Sequence, residues 1–124
     1  MHDVLFWLYM VNAILLINHE IESAYWKEWN LFKLPGGITL FLVIHFPILL
    51  VILYGLVEVY RESTAGLIFS IVLAVAGIFA FGIHTYFIRQ GRDEFKLPIS
   101  RYILIMLLLV SLVQTGVTIS LLAT

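Results

Sequence analysis

The chain has 124 residues, of which 62% are hydrophobic and only 12% are charged, and its formal net charge is −1. A small soluble domain exposes much of its surface to water and carries about 25% charged residues. The composition therefore excludes an ordinary soluble protein and a disordered one. It also argues against nucleic acid as a partner, which would require a basic surface. A membrane protein in contact with the lipid bilayer remains.

Four stretches without Asp, Glu, Lys or Arg indicate membrane spans, because about 20 helical residues cross a hydrocarbon core. The runs within them do not alternate polar and apolar residues, as the strands of a membrane barrel would. We predict an all-α polytopic four-helix bundle that forms one domain over residues 1–124. The predicted helices cover about 3–22, 36–58, 63–89 and 100–122.

The first predicted helix carries polar residues on one face. Asn12 and His19 are seven residues apart, and Glu22 follows His19 by three, so the three share a face, whereas Glu20 points about 100° away. A histidine and a glutamate at this spacing can bind one metal ion from a single helix. Alternatively, His19 could snorkel to the membrane interface.

The segment after this helix combines aromatic and charged residues. In a helical continuation over residues 20–33, Tyr25, Trp29 and Phe32 share a face, with Lys27 and Glu28 largely off it. Such a pattern is typical of a helix in the headgroup plane, serving as an anchor, as a lid over a site, or as a docking surface for lipid or protein. The predicted interface anchors of the chain are Trp26, Trp29, Lys33 and Lys96.

The second and third predicted helices each contain one histidine. His45 lies deep in the second helix, two residues before Pro47. The third helix has small residues at every third or fourth position, which allows close helix packing and directs His84 into the bundle. These predicted packing residues are Gly66, Ser70, Ala74 and Gly77.

The fourth predicted helix presents polar residues on one face. Such residues in membrane helices mostly form hydrogen bonds between helices, although in an oligomer they could line half of a pore. They are Ser111, Gln114, Thr115 and Thr118.

A short motif indicates an internal repeat. The sequence Phe-Lys-Leu-Pro occurs at residues 32–35 and again at 95–98, each time before an even-numbered helix. The repeat predicts two helical hairpins, 1–62 and 63–124, related as a parallel pseudo-repeat. Convergence is the alternative, because lysine at an interface and proline at a helix start are favoured in any case.

The basic residues predict an orientation. Six of the seven lie in the segments that join helices 1–2 and 3–4, and Arg61 is the exception. The positive-inside rule then places both segments in the cytoplasm and both termini outside, in a multi-pass protein of the inner membrane.

The histidines predict a metal site in the half of the bundle next to the basic segments. Ionisable groups within spans are costly and mark partners or pathways. Histidine and carboxylate ligands suit zinc or non-haem iron, and haem between two histidines fits less well. The expected metal ligands are His19, Glu22, His45 and His84. The candidates for acid–base catalysis are His45, His84, Glu20 and Glu22.

Several patterns resemble uncharacterised bacterial four-helix membrane domains of unknown function, a family similar to the HXXEE-type membrane proteins. They are residues 18–22 (Asn-His-Glu-Ile-Glu), 34–37 (Leu-Pro-Gly-Gly) and 82–84 (Gly-Ile-His). His19 and Glu22 take the first two specified positions of that motif, and Ser23 stands at its second glutamate. The resemblance covers nearly the whole chain and implies that His19, Glu22, His45 and His84 act together.

We therefore expect an intramembrane His/Glu site that binds a metal or performs acid–base chemistry on a lipid-like substrate. One alternative is a non-catalytic assembly factor or small subunit of a larger membrane complex. A second is a transporter or channel formed by a homo-oligomer. The chain has no cysteine, which excludes thiol chemistry.

Overall fold

A computed structural model describes residues 1–124 and contains helices but no strand. The helices are α1 (His2–Tyr25), α2 (Glu28–Leu31), α3 (Gly37–Tyr60), α4 (Thr64–Arg89) and α5 (Pro98–Leu122). All except the short α2 are long and apolar enough to cross a membrane. The chain is therefore an all-α four-helix bundle in a bilayer, as predicted.

The four long helices form a bundle in which α1 and α4 contact each other across the centre. Helices α1 and α4 each pack against both α3 and α5, whereas α3 and α5 do not touch each other. Buried apolar side chains such as Leu5, Leu16 and Leu107 fill the centre. The outward faces carry exposed apolar residues, which suits contact with lipid. We call the end of the bundle that carries α2 the α2 end.

The chain reverses direction between α1 and α2. Lys27 adopts a left-handed backbone conformation, with φ 54° and ψ 57°, so α1 ends at Tyr25 and α2 starts anew at Glu28. The continuous helix predicted over residues 20–33 is therefore wrong. Glu28, predicted to lie largely off the aromatic face of that segment, turns toward the bundle as a result.

The predicted packing residues of α4 are all buried against other helices. A Cβ atom at Gly66 would lie 2.5 Å from the backbone oxygen of Glu58, and one at Gly77 would lie 2.2 Å from Oγ of Ser111. Real Cβ contacts are not this short, so α4 approaches α3 and α5 closely because these two residues have no side chain.

A buried polar network joins α1, α4 and α5. Asn12 Nδ2 donates hydrogen bonds of 3.0 Å to Ser111 Oγ and to Gln114 Oε1. Gln114 Nε2 donates to the backbone oxygen and to Oγ of Ser70, both at 3.0 Å. Ser70 Oγ lies 2.8 Å from Thr118 Oγ1. Ser111, Gln114 and Thr118 of the last helix thus connect helices within the chain, whereas Thr115 Oγ1 donates to the backbone oxygen of Ser111 in its own helix.

The two copies of the repeated motif differ in their position relative to the start of the helix that follows. Pro98 is the first residue of α5, whereas α3 begins at Gly37, two residues after Pro35. Phe95 is buried and has a φ of 66°, whereas Phe32 is only half-buried. The duplication of two hairpins stays a prediction.

Candidate metal centre

Three potential metal ligands meet at the α2 end of the bundle. They are His19 from α1, His84 from α4 and Glu28 from the start of α2. One ligand atom from each lies within 4.8 Å of the other two. The Nε2 atom of His84 is 3.5 Å from Oε2 of Glu28. We call these three residues the triad.

The fold positions the triad in three ways. His19 lies on the buried face of α1 that also carries Asn12 and Ser23. His84 continues the buried, small-residue face of α4. Glu28 arrives through the left-handed turn at Lys27. Each ligand therefore comes from a different helix, and the site exists only in the folded bundle.

Aromatic rings shield the two histidines. Their own ring centroids are 4.6 Å apart. Phe95 is only 1% exposed, and its ring centroid lies 4.1 Å from that of His84 and 5.3 Å from that of His19. Phe32 approaches His84 from the other connecting segment at 6.3 Å. His19 is thus buried and does not snorkel to the interface.

Unpartnered polar atoms concentrate in the triad. Only four buried side-chain nitrogen or oxygen atoms in the chain have no hydrogen-bond partner, and three are His19 Nδ1, His84 Nδ1 and Glu28 Oε2. The fourth is Oδ1 of Asn12. A buried polar atom without a partner costs about 1–3 kcal/mol, so a ligand that engages these three atoms would stabilise the fold.

Glu28 is the anionic member of the triad. Burial raises the pKa of its carboxyl, but nearby His84 and Ser23, together with the positive charge that His84 and His19 can carry, outweigh that effect. The pKa of Glu28 therefore lies below its usual value, and the side chain is a carboxylate at neutral pH. A deprotonated carboxylate is the form that binds a metal ion.

The donor set fits zinc or non-haem iron. Two histidines and one carboxylate hold zinc in many catalytic sites and iron(II) in the facial-triad oxygenases, with coordination positions left open in both. Metal bonds of about 2.0–2.1 Å keep ligand atoms of a tetrahedral site roughly 3.4 Å apart. The 3.5 Å separation of His84 Nε2 and Glu28 Oε2 matches this spacing.

A second His/Glu pair lies close by. Nδ1 of His45 is 2.6 Å from the backbone oxygen of Phe41, so Nδ1 carries a hydrogen and donates it. Nε2 of His45 is 2.5 Å from Oε2 of Glu20. Because both ring nitrogens are engaged, His45 has none free for a metal or for haem iron. The contact between Glu20 and His45 requires one hydrogen, which either residue can carry.

A cavity lies between this pair and Glu28 of the triad. It has a volume of about 170 Å³ and is lined by Glu20, Glu28 and His45 together with apolar side chains of α2 and α3, including Trp29 and Ile48. Glu20 and His45, which we call the proton-carrying pair, and the carboxylate of Glu28 therefore line the same cavity.

Glu22 lies outside the triad although it follows His19 by one helical turn. Its Oε2 accepts a hydrogen bond from Trp26 Nε1 at 2.9 Å and another from Ser100 Oγ on α5. Of the four expected ligands, the structure brings together His19 and His84 and gives Glu22 and His45 other partners.

The predicted anchors surround this end of the bundle. Trp26 binds Glu22, and the ring centroid of Trp29 lies 5.5 Å from that of Phe41 on α3. Lys33 is exposed, and Nζ of Lys96 lies 3.3 Å from Asp93.

Glu28 and Phe95 are the site residues that sequence reasoning missed. No spacing distinguishes Glu28 from Glu20 and Glu22, because the reversal at Lys27 breaks the helical periodicity. Phe95 had a usable signal, since it directly follows the charged stretch 92–94 and begins the second copy of the repeated motif.

Comparison with known proteins gives one family. Residues 5–121 match the Family of unknown function (DUF6713). The chain has no match among curated proteins and none among solved structures.

Proposed function

The chain belongs to the Family of unknown function (DUF6713), and we propose that it is a small membrane metalloprotein whose triad binds one zinc or iron ion. The ion would serve acid–base chemistry on a lipid-like substrate, with Glu20 and His45 as the proton-carrying groups. The observation that carries the proposal is the convergence of buried His19 and His84 with half-buried Glu28, each of which has an unpartnered polar atom.

Each residue has a distinct role in this proposal. When bound, the ion supplies a Lewis acid that polarises a substrate oxygen. Glu20 accepts a proton from the reacting group, and His45 holds the Glu20 carboxylate in position through the 2.5 Å contact at Nε2. Phe95 and Phe32 keep water away from the two histidine ligands.

The proposal also includes an orientation. The α2 end faces the cytoplasm, because the two connecting segments there and the adjoining ends of α4 and α5 contain six of the seven basic residues of the chain. Both termini then lie on the outer side of the inner membrane. The site would act on molecules that reach it from the cytoplasmic leaflet.

Metal analysis tests the proposal. The wild-type protein, purified in mild detergent without a polyhistidine tag, is expected to contain one zinc or iron ion per chain. X-ray absorption at the metal edge should show two histidine nitrogens and carboxylate oxygen in the first coordination shell. A chain without stoichiometric metal would contradict the proposal, and co-purification of such a chain with a membrane complex would favour a non-catalytic subunit.

A further inference from the structure

A second, apolar cavity lies between α1, α3 and α4. Its volume is about 300 Å³, and its lining is almost entirely apolar. Buried residues of α1 and α4, such as Tyr9, Leu16 and Leu73, form its floor. Val51 of α3 and Val72 of α4 stand at its mouth, where they are 41% and 50% exposed. The cavity is therefore a groove that opens sideways toward the bilayer.

The groove continues into the polar cavity. Ile48 lines both, and it lies one turn of α3 from His45. The distance along α3 from His45 to Ile52, at the far part of the groove, is about 10 Å at 1.5 Å per residue. One face of α3 therefore runs from His45 into the apolar groove.

The dimensions restrict what the groove can hold. Its lining on α1 runs from Tyr9 to Leu16 and on α4 from Phe69 to Ala76, and each stretch covers about 10 Å of helix axis. A transmembrane helix of a partner is itself about 10–12 Å in diameter and about 30 Å long, which is too large for this space. A single hydrocarbon chain, which a bilayer supplies on every side, matches both the shape and the apolar lining.

We propose that the groove receives one acyl chain of a bilayer lipid whose polar headgroup enters the cavity at Glu20 and His45. This assignment rests on the proposed function and names its substrate class as an amphiphile that arrives from within the membrane. The acyl chain in the groove fixes how deep the bound lipid lies in the bilayer. Ile48 lies at the boundary between its headgroup and its acyl chain. The headgroup is then presented to the triad on the Glu28 side of the cavity.

Photo-crosslinking tests this proposal with the full chain. The protein is reconstituted into vesicles of phosphatidylethanolamine and phosphatidylglycerol that contain a phosphatidylethanolamine with a diazirine in its acyl chain. Crosslinked residues are mapped by mass spectrometry. We expect labelling concentrated on Ile48, Val51 and Val72. Labelling spread evenly over the exposed apolar residues of the bundle would overturn the proposal that the groove binds an acyl chain.

Two substitutions on α4 supply a matched comparison. Val72→Trp fills the mouth of the groove, whereas Val75→Trp places the same side chain on the exposed face of the same helix, outside the groove. We expect Val72→Trp to lower groove labelling about tenfold and Val75→Trp to leave it unchanged. Val51→Trp provides a second groove variant on α3 should Val72→Trp fail to fold. Equal labelling in the Val72 and Val75 variants would overturn the proposal.

Metal content measured in the same samples separates the two proposals. If the protein retains metal but labelling is spread evenly, acyl-chain binding in the groove is contradicted and metal binding by the triad is supported. Labelling confined to the groove in a chain without metal would support the groove as a lipid site and contradict the metal centre.

Discussion

The Nε2 atom of His84 lies 3.5 Å from Oε2 of Glu28, although His84 belongs to a membrane-spanning helix and Glu28 to a short helix outside the four spans. This contact links α2 to the centre of the bundle. It also closes a set of two histidines and one carboxylate, which neither the spans nor the connecting segment could form alone.

Glu20→Gln tests whether Glu20 acts as a general base or as a metal ligand. The glutamine amide can donate to Nε2 of neutral His45, because Nδ1 already donates to the backbone oxygen of Phe41. We expect unchanged metal content and an unchanged unfolding midpoint in mild detergent. Turnover of a lipid-like substrate, once identified, should fall about 10²–10⁴-fold, the usual contribution of a general base. Loss of metal from this variant would show instead that Glu20 is a ligand.

Gly66→Ala tests the close contact between α3 and α4. The added Cβ would meet the backbone of Glu58 at 2.5 Å, and backbone cannot rotate away as a side chain can. We expect a loss of about 1–3 kcal/mol in the free energy of unfolding, measured by denaturant titration in detergent. Gly82→Ala on the same helix is the control, since nothing lies within 4 Å of its added Cβ. Equal stability of the two variants would mean that α3 and α4 are not in close contact at Gly66.

Gln114→Leu tests whether the polar face of α5 packs helices or lines a pore. The substitution removes hydrogen bonds to Asn12 and Ser70, and we expect a stability loss of about 1–3 kcal/mol. Val113→Leu, at the exposed neighbouring position, should have little effect. A Gln114 variant of normal stability that loses solute flux in vesicles would favour the pore instead.

Single cysteines test the proposed orientation, because the natural chain has none. Glu62→Cys lies in the exposed segment between α3 and α4, and Gln90→Cys lies in the exposed segment between α4 and α5. We expect a membrane-impermeant maleimide to label the Glu62 variant on intact cells and the Gln90 variant only after lysis. The reverse pattern would place the α2 end, and with it the site, on the outer side.

The architecture could be predicted from the distribution of charge. Long stretches without charged residues become helices in a bilayer, because every backbone polar group must be satisfied within the segment. The inward position of His84 likewise followed from the small residues before it. These features depend on composition and on regular helical spacing, which a single sequence displays.

The ligand set depends on features that a single sequence does not display. Glu28 reaches the site because Lys27 takes up a left-handed conformation, which no residue pattern requires. Glu22 shares a face with His19, but Ser100 of α5 and Trp26 engage its carboxylate. His45 forms a hydrogen bond to the backbone of its own helix. In each case tertiary contacts or local backbone geometry decide among chemically equivalent candidates.

If Glu28, and not Glu22, completes the metal site, substitution of the two glutamates must affect the metal content differently. Glu28→Gln and Glu22→Gln make the same chemical change, and each is purified without a polyhistidine tag beside the wild type. We predict one zinc or iron ion per chain in the wild type and in Glu22→Gln, and a substoichiometric amount in Glu28→Gln. Full metal content in Glu28→Gln, or its loss in Glu22→Gln alone, would contradict it.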